Sequence, residues 1–131
     1  MDKLNRINEW QKQSHYDFET AEAMFKTGRY VYCVFMCHLS LEKMLKGLYL
    51  KNLDKTSPKI HSLVYLVQAQ NFELPETAKK FLAMLDEVSI PTRYPDEIEA
   101  LLAIYDNHRT QEILRQTQEV LICLREKFGK L

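Results

Sequence analysis

Residues 38–50 read HLSLEKMLKGLYL, and this stretch decides the fold. Leu41, Leu45 and Leu48 show no period-two alternation. At 100° per residue they extend an apolar arc begun by Val31, Val34 and Phe35. The resulting helix, expected over about Tyr30 to Asn52, is apolar around most of its circumference, which places it in the middle of a bundle. Yet His38, Glu42 and Lys46 recur at every fourth position within it. Each step of four advances only about 40° around a helix, so the three form one polar stripe on the central helix.

The pattern on either side is also helical. A first helix runs from about Leu4 to Lys26 and stops at Thr27-Gly28. Trp10, Ser14, Asp17, Ala21 and Met24 share one of its faces. LDKTSPK forms a loop, and a short third helix follows from about His61 to Gln70. A fourth begins at Pro75 and runs to about Val88. SIPTRYPDE, with Pro91 and Pro95, is not expected to be helical throughout. Asp96 can cap a last helical region reaching about Phe128, with a break allowed near Asp106-Asn107-His108. There is no repeat, low-complexity tract or strand-like alternation. The expected fold is a single all-α domain over residues 1–131, an antiparallel up-and-down bundle of about five helices.

Composition narrows the function classes. With 46% hydrophobic and 27% charged residues, the 131-residue chain is long enough to bury one core without staples. Eighteen basic residues balance eighteen acidic ones, so no overall charge draws it to nucleic acid or membrane. Cys33, Cys37 and Cys123 sit in apolar helical patterns and read as core residues of a reducing compartment. Their spacing builds no metal site, and no metal or cofactor is expected. MDKLNRINEW is not a signal peptide and no segment approaches a membrane span, so a cytoplasmic location is expected.

Several polar residues are exceptions to their local pattern. Asp17 lies at the centre of an apolar face, where an unpaired carboxylate costs several kcal/mol; Lys46, His38 and Arg93 are its candidate partners. His61 opens the third helix, and Arg93-Tyr94 lies between two prolines in a turn. Asp17, His38, Glu42, Lys46, His61, Arg93 and Tyr94 are therefore expected to converge on one region. Either the cluster holds a ligand, or it only fixes helix register.

With those positions assembled, the chain resembles the HEPN family, the nucleotide-binding domain of higher eukaryotes and prokaryotes. Trp10, Ser14, Asp17 and Ala21 are similar to its W-x3-A-x2-D-x3-A helix. TGRYVYCVFMCH resembles its glycine–tyrosine turn, and LEKMLKGLYL its EKALKALLL core. His61-Ser62-Leu63 and Thr92-Arg93-Tyr94-Pro95-Asp96 are similar to its post-loop histidine and its arginine–tyrosine–proline turn. The resemblance implies a helical bundle, commonly a homodimer, often paired with a small nucleotidyltransferase as toxin and antitoxin. Some members are ribonucleases with an R-x4–6-H motif. Here the first histidine after Arg93 is His108, fifteen residues on, and Arg29 reaches His38 only after nine. The compact motif is absent.

Three functions follow. The leading one is a nucleotide- or partner-binding module, with Arg93 meeting phosphate and Lys46 or His61 assisting, because a guanidinium fork matches phosphate oxygens. The second is a metal-independent endoribonuclease whose site draws His38, His61 and Arg93 from different helices. The third is a purely structural interaction protein.

Overall fold

The computed structural model describes residues 2–129. Among the described residues six helices make up the bundle: α1 Lys3–Lys26, α2 Tyr30–Leu53, α3 Leu63–Gln70, α4 Glu76–Arg93, α5 Ile98–Ile104 and α6 Asn107–Glu126. The expected last region divides in two at Tyr105–Asp106, where the Asp106 side chain accepts a hydrogen bond from Arg109 N and caps α6. Asp96 caps nothing: Glu97 holds the N-cap position of α5. No helix among the described residues is long and apolar enough to cross a membrane.

α2 is the axis of the molecule, packed against α1, α3, α4 and α6. Leu41, Leu45 and Leu48 are fully buried, which follows from the near-absence of a polar face. The α1–α2 hairpin turns at Gly28, whose φ of +77° lies in the left-handed region that glycine adopts without strain. Small residues let the two helices approach closely. Ser14 Oγ donates to Ser40 O at 2.7 Å and Ser40 Oγ returns the bond to Ser14 O at 2.8 Å. A Cβ on Gly47 would stand 3.0 Å from Trp10 Cβ and 3.3 Å from Phe128 Cζ, so glycine allows a close approach that any side chain would press apart by a few tenths of an ångström. Cys33 and Cys37 are buried free thiols. A hydrogen bond with Cys33, and then burial, push the Cys37 thiol well above its ordinary range, which leaves it an inert core residue.

Two departures from the sequence reading position the site. First, α4 does not stop at Val88. It passes through Pro91, which forfeits one backbone hydrogen bond, and ends at Arg93, with Tyr94 N bonding Ile90 O at 2.8 Å. Asp86, Ser89, Ile90 and Arg93 consequently lie on one helical face. Second, α3 begins at Leu63, so His61 belongs to the preceding loop.

That loop and helix are held by one carboxylate from α4. Asp86 Oδ1 accepts from Leu63 N at 2.8 Å and from His38 Nε2 at 3.1 Å; Oδ2 accepts from Val64 N at 3.0 Å and Ser62 Oγ at 3.1 Å. The Ser62 hydroxyl in turn accepts from Tyr65 N. Asp86 thus caps a helix to which it does not belong, and satisfies donors that α3 cannot satisfy internally. Burial opposes the charge on Asp86, but the hydrogen bonds from His38, Val64 and Leu63 outweigh it and hold the carboxyl below its usual value. A depressed carboxylate stabilises the fold above its unfolded pKa, about 3.9, and that contribution is lost as pH falls through the lower folded value. Asp86→Asn would set an amide donor against at least one of the donors now facing Oδ2, at a cost of about 1–3 kcal/mol. Thermal melts from pH 7 to pH 2 should show a lower Tm for the variant at neutral pH and a shallower acid decline than wild type. Equal acid slopes would remove Asp86 from this role.

Candidate functional site

The polar stripe of α2 is almost completely enclosed: His38 is 1% exposed, Glu42 4% and Lys46 8%. Its members serve two different connections. At the inner end, His38 bridges to Asp86. An ionised carboxylate only accepts, so the proton of that contact lies on His38 Nε2. Nδ1 of the same ring faces Glu42 Oε1 at 3.9 Å, beyond hydrogen-bond reach, and has no partner among the described residues.

At the outer end stands Glu42. Lys46 Nζ lies 3.0 Å from its Oε2, and His61 Nδ1 lies 3.1 Å from both carboxylate oxygens. The order Lys46–Glu42–His61 runs from a buried ammonium through a buried carboxylate to an imidazole whose side chain is 60% exposed. Both polar contacts of His61 use Nδ1. The ring is therefore held by one nitrogen and offers the other.

His61, Ser62, Asp86, Ser89, Arg93 and Tyr94 line an open recess of about 360 Å³. Arg93 contributes its free charge. Its guanidinium lies over the Phe35 ring at 4.9 Å, a cation–π contact that orients the group while leaving its N–H edge unused. None of the ion pairs among the described residues involves Arg93. Asp86 contributes no charge to spare, because each of its oxygens already takes two donors. The N-terminus of α3 is likewise occupied by Asp86. Chemically, the recess can offer a guanidinium fork, one imidazole nitrogen free of protein partners among the described residues and the exposed ring of Tyr94. No three His, Cys, Asp or Glu side chains among the described residues are grouped so as to hold a metal ion.

The structure brings together six of the seven residues expected to converge. His38, Glu42, Lys46 and His61 form the linked seam, and Arg93 and Tyr94 share the recess with His61. Asp17 is the exception. None of its expected partners, Lys46, His38 or Arg93, meets it. Lys43 Nζ does, at 2.8 Å, as an ion pair without hydrogen-bond alignment. Position 43 is rotated 100° from position 42 and lies on the α1 side of α2, so this pair belongs to the hairpin. The sequence reading missed Asp86, Ser62 and Phe35. A signal for Asp86 existed in its place one residue past the core residue Leu85 and four past Leu82, on the buried flank of α4.

A sequence model of the HEPN domain matches residues 7–127. No curated protein is detectably similar in sequence. Among solved structures, TT1696 from Thermus thermophilus superposes with a TM-score of 0.80 at 28% identity, covering 94% of this chain and 98% of that one. ST0689, an archaeal HEPN homologue, gives 0.74 at 24% identity, covering 97% and 98%, a likeness of fold. With the family's sequence pattern running through all six helices, the chain belongs to the HEPN domain family.

Proposed function

We propose that this HEPN domain binds the phosphate of a nucleotide in the His61–Arg93 recess, and that it acts as the ligand-responsive partner of a small nucleotidyltransferase in a toxin–antitoxin arrangement. The observation that carries the first half is Arg93. It is a guanidinium without a carboxylate partner among the described residues, oriented on Phe35, in a recess that is also lined by an anchored, exposed imidazole. A planar fork in that setting matches phosphate oxygens in a way that a lysine would not. Lys46, neutralised by Glu42, acts through that carboxylate and not as a direct ligand.

The nucleotidyltransferase half draws on the family resemblance, and an apolar surface beside the recess supports self-association. Ile90 and Tyr94 are 70% and 72% exposed and line an open hollow with Ala100 and Leu101 of α5, a helix with no buried residue that also exposes Ile98 and Leu102. Contiguous exposed apolar groups mark protein contacts. A second copy of the chain is the occupant this reading assigns to the patch, so that a homodimer presents two recesses.

Two outcomes are expected. In a thermal-shift screen against nucleotides and short RNAs, a ligand should raise the Tm of wild type, and Arg93→Ala should abolish the shift while folding normally. An Arg93→Ala protein that responds as wild type does would place the ligand elsewhere. Ile98→Glu with Leu102→Glu should convert a dimer to monomer in sedimentation velocity; an unchanged sedimentation coefficient would free the patch from that role.

A further inference from the structure

We propose that His61, positioned by Glu42, makes the recess selective for a terminal phosphate over a phosphodiester. This rests on the phosphate-binding reading above and adds the substrate class.

Glu42 is a buried carboxylate with Lys46 at 3.0 Å, and His61 Nδ1 is equidistant, 3.1 Å, from its two oxygens. A carboxylate in that position accepts, so Nδ1 carries a proton and the imidazole presents Nε2 to whatever enters. The loop that carries His61 is itself fixed, because the residues that follow it, Ser62, Leu63 and Val64, are all bonded to Asp86. The recess wall therefore holds a guanidinium and one imidazole nitrogen at set positions.

A guanidinium fork satisfies two phosphate oxygens. In a phosphodiester these two are all the charged oxygens there are, and the remaining positions are ester oxygens that accept poorly. A terminal phosphate has a third charged oxygen, and its second ionisation falls near pH 6, in the same range where an imidazole exchanges its proton. Nε2 and that third oxygen can share one proton, whether it arrives on the ring or on the phosphate. Arg93 thus recognises any phosphate, and His61 adds a contact that only the terminal one completes.

Binding of the terminal phosphate should take up a proton, so its affinity should rise as pH falls from 8 to 6. The groups around His61 are Glu42 from α2, with Lys46 behind it, Asp86 and Arg93 from α4, and Tyr94 at the C-cap of α4. His38 is the one other imidazole of the seam, and its Nε2 is already committed to Asp86.

The test is isothermal titration of the full chain with AMP and with 3′,5′-cyclic AMP, at pH 6.5 and pH 8. The two probes share base and ribose and differ in whether the phosphate is terminal. Wild type should bind AMP tighter than the cyclic diester by about tenfold or more at pH 6.5, the size expected of one hydrogen bond to a charged group. His61→Asn keeps a donor toward Glu42 and removes the outward nitrogen. It should bind the two probes equally and lose the pH dependence. Equal binding by wild type would overturn the selectivity and leave the phosphate site standing. A preference or pH dependence that persists in His61→Asn would overturn the role of His61. No binding of either probe would overturn the phosphate reading itself, and this inference with it. The wild-type comparison alone decides the selectivity if the variant fails to fold.

Discussion

The arrangement of the site depends on the capping of α3 by Asp86. An eight-residue helix has little cooperative stability of its own, and its first backbone N–H groups have no partners within it. One carboxylate from α4 satisfies two of them, orders the N-cap serine and receives the buried His38 ring of α2. Three helices are thereby joined at a single point. His61 is the residue immediately before that junction, so its position is inherited from the cap. Arg93 lies two turns further along the helix that supplies Asp86, so His61 and Arg93 are referenced to the same carboxylate.

Much of the fold was legible because the signals were local. Periodicity located the helices, and Thr27-Gly28 marked the hairpin through a left-handed glycine. The misreadings have physical causes. Pro91 is a helix breaker by local rules, yet α4 continues because only one backbone bond is lost and Tyr94 N still closes on Ile90 O. The polar stripe of α2 announced itself as an exception to an apolar pattern. Asp86 gave only a weak signal, its place on the buried flank of α4, since an aspartate in an amphipathic helix normally reads as solvated surface and its role exists only once α3 is in place. For Asp17 the need for a cation was legible but its identity was not. Lys43 and Lys46 differ by less than one helical turn, and which of them faces α1 is decided by the rotation of α2 about its axis.

The two halves of the seam stand on different energetic grounds. His38–Asp86 is explained by structure alone, because removing either partner would strand buried polar groups. Glu42–Lys46 is not. An enclosed ion pair gains little over apolar residues of the same volume, and replacing such pairs with well-packed hydrophobes is often neutral or stabilising. Stability therefore gives no reason for a carboxylate in the middle of the central helix of the bundle. The reason lies in its third contact. Glu42 reaches out of the interior to a histidine that is largely solvent-exposed, and an exposed imidazole needs no buried carboxylate for the fold to hold. What the carboxylate does is fix which nitrogen of that ring carries the proton and which faces the recess, while Lys46 keeps its charge balanced inside the protein. A buried pair that contributes little to folding and sets the orientation of one surface nitrogen is accounted for by the phosphate site proposed at His61 and Arg93, and by nothing in the packing of the fold.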